Sequence, residues 1–126
     1  MDFNFSEEQE LLRKMASDFL IENCPKSFVQ EMEEDEKGYS PEMWKKMAEL
    51  GWMGLILPEE YGGAGGNFLD LVVLLEEAGR ALLPGPFVPT AVYASPAILY
   101  FGTEEQRREF LPKIVAGERI MTLVLT

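Results

Sequence analysis

Between positions 48 and 66 the chain reads AELGWMGLILPEEYGGAGG, and its last five residues place Gly62, Gly63, Gly65 and Gly66 around Ala64. Few folds use so many residues without a Cβ in one place. Such a loop needs backbone at positive φ, or another surface packed tightly against it. A helix-like end (Ala48, Glu49, Leu50) stops at Gly51, an apolar turn follows, and Pro58 opens the loop. The loop is not a dinucleotide fingerprint, because counting from Gly63 the required glycine falls on Phe68 and no strand of sufficient length precedes it. A P-loop is excluded too, since no Gly-Lys-Ser/Thr follows.

Around this loop the sequence is punctuated as helices. Ser6-Glu7-Glu8-Gln9 has the form of a capping box. Leu12, Met15, Ala16, Phe19 and Leu20 then make an apolar stripe that should end near Asn23, because Pro25 disfavours helical geometry at Cys24. A second helix is expected over Ser27–Asp35, with an acidic, solvated end. Ser40-Pro41 starts a third, burying Trp44, Met47, Ala48 and Leu50, with Gly51 as its stop. Asn67 is expected to cap a fourth, Phe68–Leu83, with the stripe Leu71, Leu74, Leu75, Ala78 and Leu82. The linker PGPFVP, Pro84–Pro89, should be an ordered or extended turn. Thr90 opens a fifth helix to about Phe101, which Pro96 should kink or divide. Thr103-Glu104-Glu105-Gln106 is a second capping box. The sixth helix is expected to reach about Phe110, with a break at Pro112 and one more turn to Gly117. The tail Ile120–Thr126 is β-branched and apolar and reads as a strand.

Composition closes several routes. The 126 residues suit one domain, and 47% hydrophobic content suits a packed core. A net charge of −11 argues against nucleic acid and against an anionic membrane surface. The same charge makes the chain a poor home for phosphate-bearing cofactors, whose phosphate sites, in a larger enzyme, should lie mostly elsewhere. The acidic N-terminus lacks the features of a signal peptide, and the longest uncharged run, Ala81–Thr103, holds four prolines and two glycines. A cytoplasmic location is therefore the expectation. There is no histidine, which removes Ser–His and Cys–His nucleophile systems and His-ligated metals. No metal spacing appears. The lone Cys24 reads as a core filler, and Glu59 and Glu60 as exposed turn residues.

Five blocks, in order, resemble the acyl-CoA dehydrogenase family. They are FSEEQELL at Phe5–Leu12, AELGWMGLILPEEYGG at Ala48–Gly63, LLEEAGRAL at Leu74–Leu82, GTEEQRREFLPKIVAGE at Gly102–Glu118 and LVLT at Leu123–Thr126. The resemblance implies an all-α fold, an orthogonal bundle of about six helices with a short C-terminal β-strand. Residues 1–118 correspond to the family's N-terminal helical domain and 119–126 to the first strand of a middle β domain. The unpaired strand leads to the expectation that this is the N-terminal part of a longer protein.

The resemblance also implies a function. The parent enzyme would use FAD to dehydrogenate an acyl-CoA across Cα and Cβ, in fatty acid metabolism, with its catalytic glutamate in a C-terminal bundle. No catalytic residue is expected in this chain. Its contributions would be a flavin contact at Leu123, Leu125 and Thr126, and part of the acyl pocket at Val88, Val92, Ser95 and Leu99. These last four share one helical face if the segment is continuous. The expected partners are acyl-CoA and the missing middle and C-terminal domains, with a homo- or hetero-tetramer in the parent. The chain alone should bind FAD weakly or not at all. RALLPGPFVPTAV also looks like bacterial members that act on bulky or unusual acyl groups. Two alternatives stay open: an acyl-CoA oxidase domain, and an acidic helical module that binds a partner protein.

Overall fold

Helix α1, Glu7–Asn23, starts where its sequence says it should. The Ser6 hydroxyl accepts from the Gln9 N–H at 3.1 Å, and the Gln9 side chain accepts from the Ser6 N–H at 3.0 Å. A computed structural model describes all residues, 1–126, with six α-helices. Two compact units are formed, residues 1–38 with 68–84, and residues 39–67 with 85–126.

In the first unit, α1 lies against α4, Phe68–Arg80, with α2 over Lys26–Glu34. Ala16 and Leu20 of α1 and Leu71, Val73, Leu74 and Ala78 of α4 are buried. The two helices run parallel: Gln9 donates to Asp70 at 2.9 Å, Arg13 bridges Glu76 at 2.9 Å and Glu77 at 3.2 Å, and the Cys24 thiol points at the Ala81 carbonyl at 3.7 Å. Met15, expected on the buried stripe, is exposed.

Helix α4 stops at Arg80, three residues short of its expected end. Pro84 forbids helical geometry at Leu83, so the chain closes in a Schellman turn. The Leu82 N–H bonds the Gly79 carbonyl at 3.1 Å, and the Leu83 N–H bonds that of Ala78 at 2.9 Å. This puts Leu82 at φ +55, a left-handed conformation that costs a leucine about 1–2 kcal/mol. Its side chain turns outward, off the stripe.

In the second unit, α3 spans Pro41–Glu49 and Ser40 caps it, accepting from the Met43 N–H at 3.1 Å. Met43, Trp44 and Met47 are buried, but Leu50 is exposed. The helix has ended by then, Gly51 turns the chain at φ +82, and Trp52 and Met53 of the following 3-10 turn enter the core instead.

The glycine loop meets both of its expected demands. Gly62 and Gly65 have φ of +90 and +68, while a Cβ on Gly63 would collide with the Leu57 carbonyl. The N–H groups of Gly62, Gly63, Ala64, Gly65 and Gly66 all bond backbone carbonyls of residues 54–59. The loop folds back on its own approach.

The fifth helix begins earlier than expected. Residues Val88–Ala94 form a π-helix, and α5 follows over Ser95–Phe101 with Pro96 in its first turn. The Ser95 N–H bonds the Thr90 carbonyl, an i→i−5 link, and the wider turn ends where Pro96 can donate no bond.

Helix α6 runs unbroken over Glu104–Val115, through Pro112. The expected break fails because Pro112 sits on the exposed face, where water can serve the orphaned carbonyl, while Leu111 and Ile114 beside it are fully buried. The second capping box forms as expected, with the Thr103 hydroxyl accepting from the Gln106 N–H at 3.1 Å. Tail residues Ile120–Thr126 form no strand. A strand exists by pairing, and no other strand is present to complete a ladder.

Candidate functional site

No cluster of His, Cys, Asp or Glu could hold a metal. Cys24 is buried, and that burial pushes its thiol pKa up, so it stays protonated and unreactive. Glu59 and Glu60 are exposed. One buried carboxylate was not anticipated: Glu77, whose side chain is 5% exposed, lies between Arg13 at 3.2 Å and Arg80 at 3.4 Å. Its partners account for it as a structural ion pair. Only the Glu77–Arg80 spacing was visible in sequence; Arg13 comes from another helix.

Tyr61 ties the glycine-loop approach to α6. Its hydroxyl donates to Glu104 at 2.9 Å, and Arg108 pairs with the same carboxylate at 2.7 Å. The Tyr61 bond, then the arginines, hold the Glu104 carboxyl below its usual range. Burial, then Glu104, raises the Tyr61 phenol.

An exposed apolar surface lies on residues 88–101 and the tail. Thr90, Ala91, Ala94 and Ser95 face the core, whereas Val88, Tyr93, Tyr100 and Phe101 are exposed. Val92 and Leu99 are half-buried. The four expected pocket residues therefore do not share one face. Ser95 is fully buried and its hydroxyl donates to the Ala91 carbonyl at 3.1 Å. The π-turn, invisible to a 3.6-residue count, accounts for the difference. A shallow groove of about 270 Å³ beside this segment is lined by Ala97, Ile98, Phe101, Phe110 and Met121. Leu123, Leu125 and Thr126 lie exposed beyond it.

These groups suit part of a flavin and not all of it. The exposed apolar side chains of Leu123, Val124 and Leu125 would fit one side of a flat ring. A diphosphate finds no cradle in the glycine loop, because its N–H groups are already bonded to carbonyls.

Together these features define an all-α domain with an exposed apolar surface on one helical segment. The chain belongs to the acyl-CoA dehydrogenase family: the family's N-terminal domain profile matches residues 6–118. It is similar to acyl-CoA dehydrogenase IpdE2 of Mycolicibacterium smegmatis, 39% identical over 94% of this chain and 37% of the relative. Among solved structures, a variant of the Tcur3481-Tcur3483 steroid ACAD is similar with a TM-score of 0.84 and 38% identity, covering 92% of this chain and 32% of that one. An acyl-CoA dehydrogenase complexed with FAD from Bacillus anthracis has a TM-score of 0.79 and 30% identity, covering 93% of this chain and 20% of that one. The chain thus spans about a third of the length of the curated relatives it matches. No helix is long and apolar enough to cross a membrane.

Proposed function

We propose that this chain serves as the N-terminal helical domain of an FAD-dependent enzyme that dehydrogenates an acyl-CoA between Cα and Cβ. The observation that carries the reading is the apolar surface on residues 88–101, borne by a helical segment whose other side is sealed in the core. In this reading Val88, Val92 and Leu99 exclude water from the acyl chain, and Ser95 braces that wall from within. Leu123, Leu125 and Thr126 touch the flavin ring. When bound, the FAD accepts the hydride that leaves Cβ. Residues 1–118 form the helical domain and 119–126 lead into a β domain, which with a C-terminal domain supplies the phosphate contacts and the base. The likeness to a steroid ACAD favours a bulky acyl group, and assembly into homo- or hetero-tetramers follows the family.

Anaerobic addition of acyl-CoA to the whole enzyme should bleach its flavin absorbance. A purified product without flavin, or without bleaching, would overturn the reading. The 126-residue chain alone should show no submicromolar FAD affinity by calorimetry; a submicromolar Kd would place the phosphate contacts within this chain.

Val92→Phe tests the wall. A methylene in an apolar pocket is worth roughly 1–3 kcal/mol, so the larger ring should shift the chain-length profile of kcat/KM toward shorter acyl groups. The best short substrate should keep most of its rate. Equal losses on every chain length would mark Val92 as packing only.

A further inference from the structure

Thr90 is fully buried in the π-helix, yet its hydroxyl serves the tail. Its Oγ1 donates to the Met121 carbonyl at 3.0 Å and accepts from the Met121 N–H at 3.3 Å. Both backbone groups of one residue are thus held by one side chain, much as a neighbouring strand would hold them. Ser95, a turn further on, behaves differently, giving its hydroxyl to the helix carbonyl four residues back. The last backbone link before this clamp is the Arg119 N–H to the Lys113 carbonyl at 3.2 Å. Beyond Met121 the tail runs exposed to Thr126.

An extended chain alternates its side chains, so slipping it by one residue exchanges which of them face a given surface. The five residues beyond Met121, ending at Thr126, can also reach about 17 Å at roughly 3.3 Å each, so a small error at the root displaces the tip. Thr90 lies two residues from both Val88 and Val92. One helical segment therefore carries the acyl wall and the root of the tail.

We propose that Thr90 is a positioning residue, whose hydroxyl fixes the register of the tail from Met121 onward and so sets which of Leu123, Leu125 and Thr126 face the flavin. The clamp itself stands on the hydrogen bonds alone; its role toward the flavin rests on the function proposed above.

Thr90→Val keeps the shape and removes both bonds. Amide exchange in this chain should quicken at Met121 by about tenfold, the weight of a hydrogen bond to a part-buried group, with no change at Ile114. In the whole enzyme the same variant should shift the flavin absorption band and lower kcat with little change in KM. Thr90→Ser should restore both. Met121→Pro removes the tail's N–H while leaving every helical residue in place, and should reproduce the flavin shift even if Thr90→Val folds poorly. Unchanged Met121 exchange in Thr90→Val would overturn the clamp. Faster exchange with a wild-type flavin band in both Thr90→Val and Met121→Pro would overturn the positioning role. A wild-type enzyme without flavin would overturn the proposed function and the positioning role together, and the flavin-free exchange measurement separates that result from failure of the clamp.

Discussion

Trp44→Ala destabilises the second unit by about 3–5 kcal/mol, the cost of emptying a large aromatic site. Trp44 is 5% exposed and meets Tyr39 edge-to-face, with ring centroids 6.1 Å apart. Its indole N–H is buried with no acceptor, so what the variant loses is packing and not a hydrogen bond. Thermal melting should fall by roughly 10–20 °C for a domain of this size. Trp44→Phe should lose less, because it fills most of the site and removes the orphaned donor. Glu34→Gln, on the exposed end of α2, should stay within about 0.5 kcal/mol of wild type. Similar melting shifts for Trp44→Ala and Glu34→Gln would contradict the placement of Trp44.

Gly63→Ala costs about 1–3 kcal/mol or more, as forced overpacking does. The new methyl would run into the Leu57 carbonyl, which already accepts the Gly65 N–H at 2.9 Å. Backbone cannot rotate away as the end of a side chain can. Gly79→Ala provides the opposite sign. Its site in the last turn of α4 has nothing within 4 Å of the added methyl, and alanine in place of a helical glycine stabilises by up to about 0.5–1 kcal/mol. Urea melts of the two variants should move in opposite directions. A Gly63→Ala midpoint equal to wild type would mean that the loop is free to open.

Local signals were legible where one residue decides the outcome. Ser6 and Thr103 cap their helices, Gly51 ends α3, and the glycine loop holds both the positive φ and the close contact its composition demands. The misses arise where a distant or competing force wins. Pro112 looks like a breaker until Leu111 and Ile114 are seen to anchor α6 on either side. Leu82 continues an apolar stripe on paper, but Pro84 ends the helix first. The tail has strand composition without a strand to pair with.

The candidate site was less legible than the fold. Val88 is exposed and Val92 half-buried, but the π-turn carries Ser95 into the core. The clamp from Thr90 to Met121 spans 31 residues and leaves no periodic trace. Nor could Arg13, on α1, be matched in advance with Glu76 and Glu77 on α4.

Neither unit is a continuous stretch of chain, since residues 39–67 separate the two parts of the first and residues 68–84 the two parts of the second. On the ribosome, Ala16 and Leu20 emerge long before Leu71 and Leu74, the side chains that will cover them. At about 5–20 residues per second, the stretch from Asn23 to Phe68 takes a few seconds to synthesise. During that interval α1 is an amphipathic segment with its apolar side uncovered, and a chaperone that grips such segments would find it there.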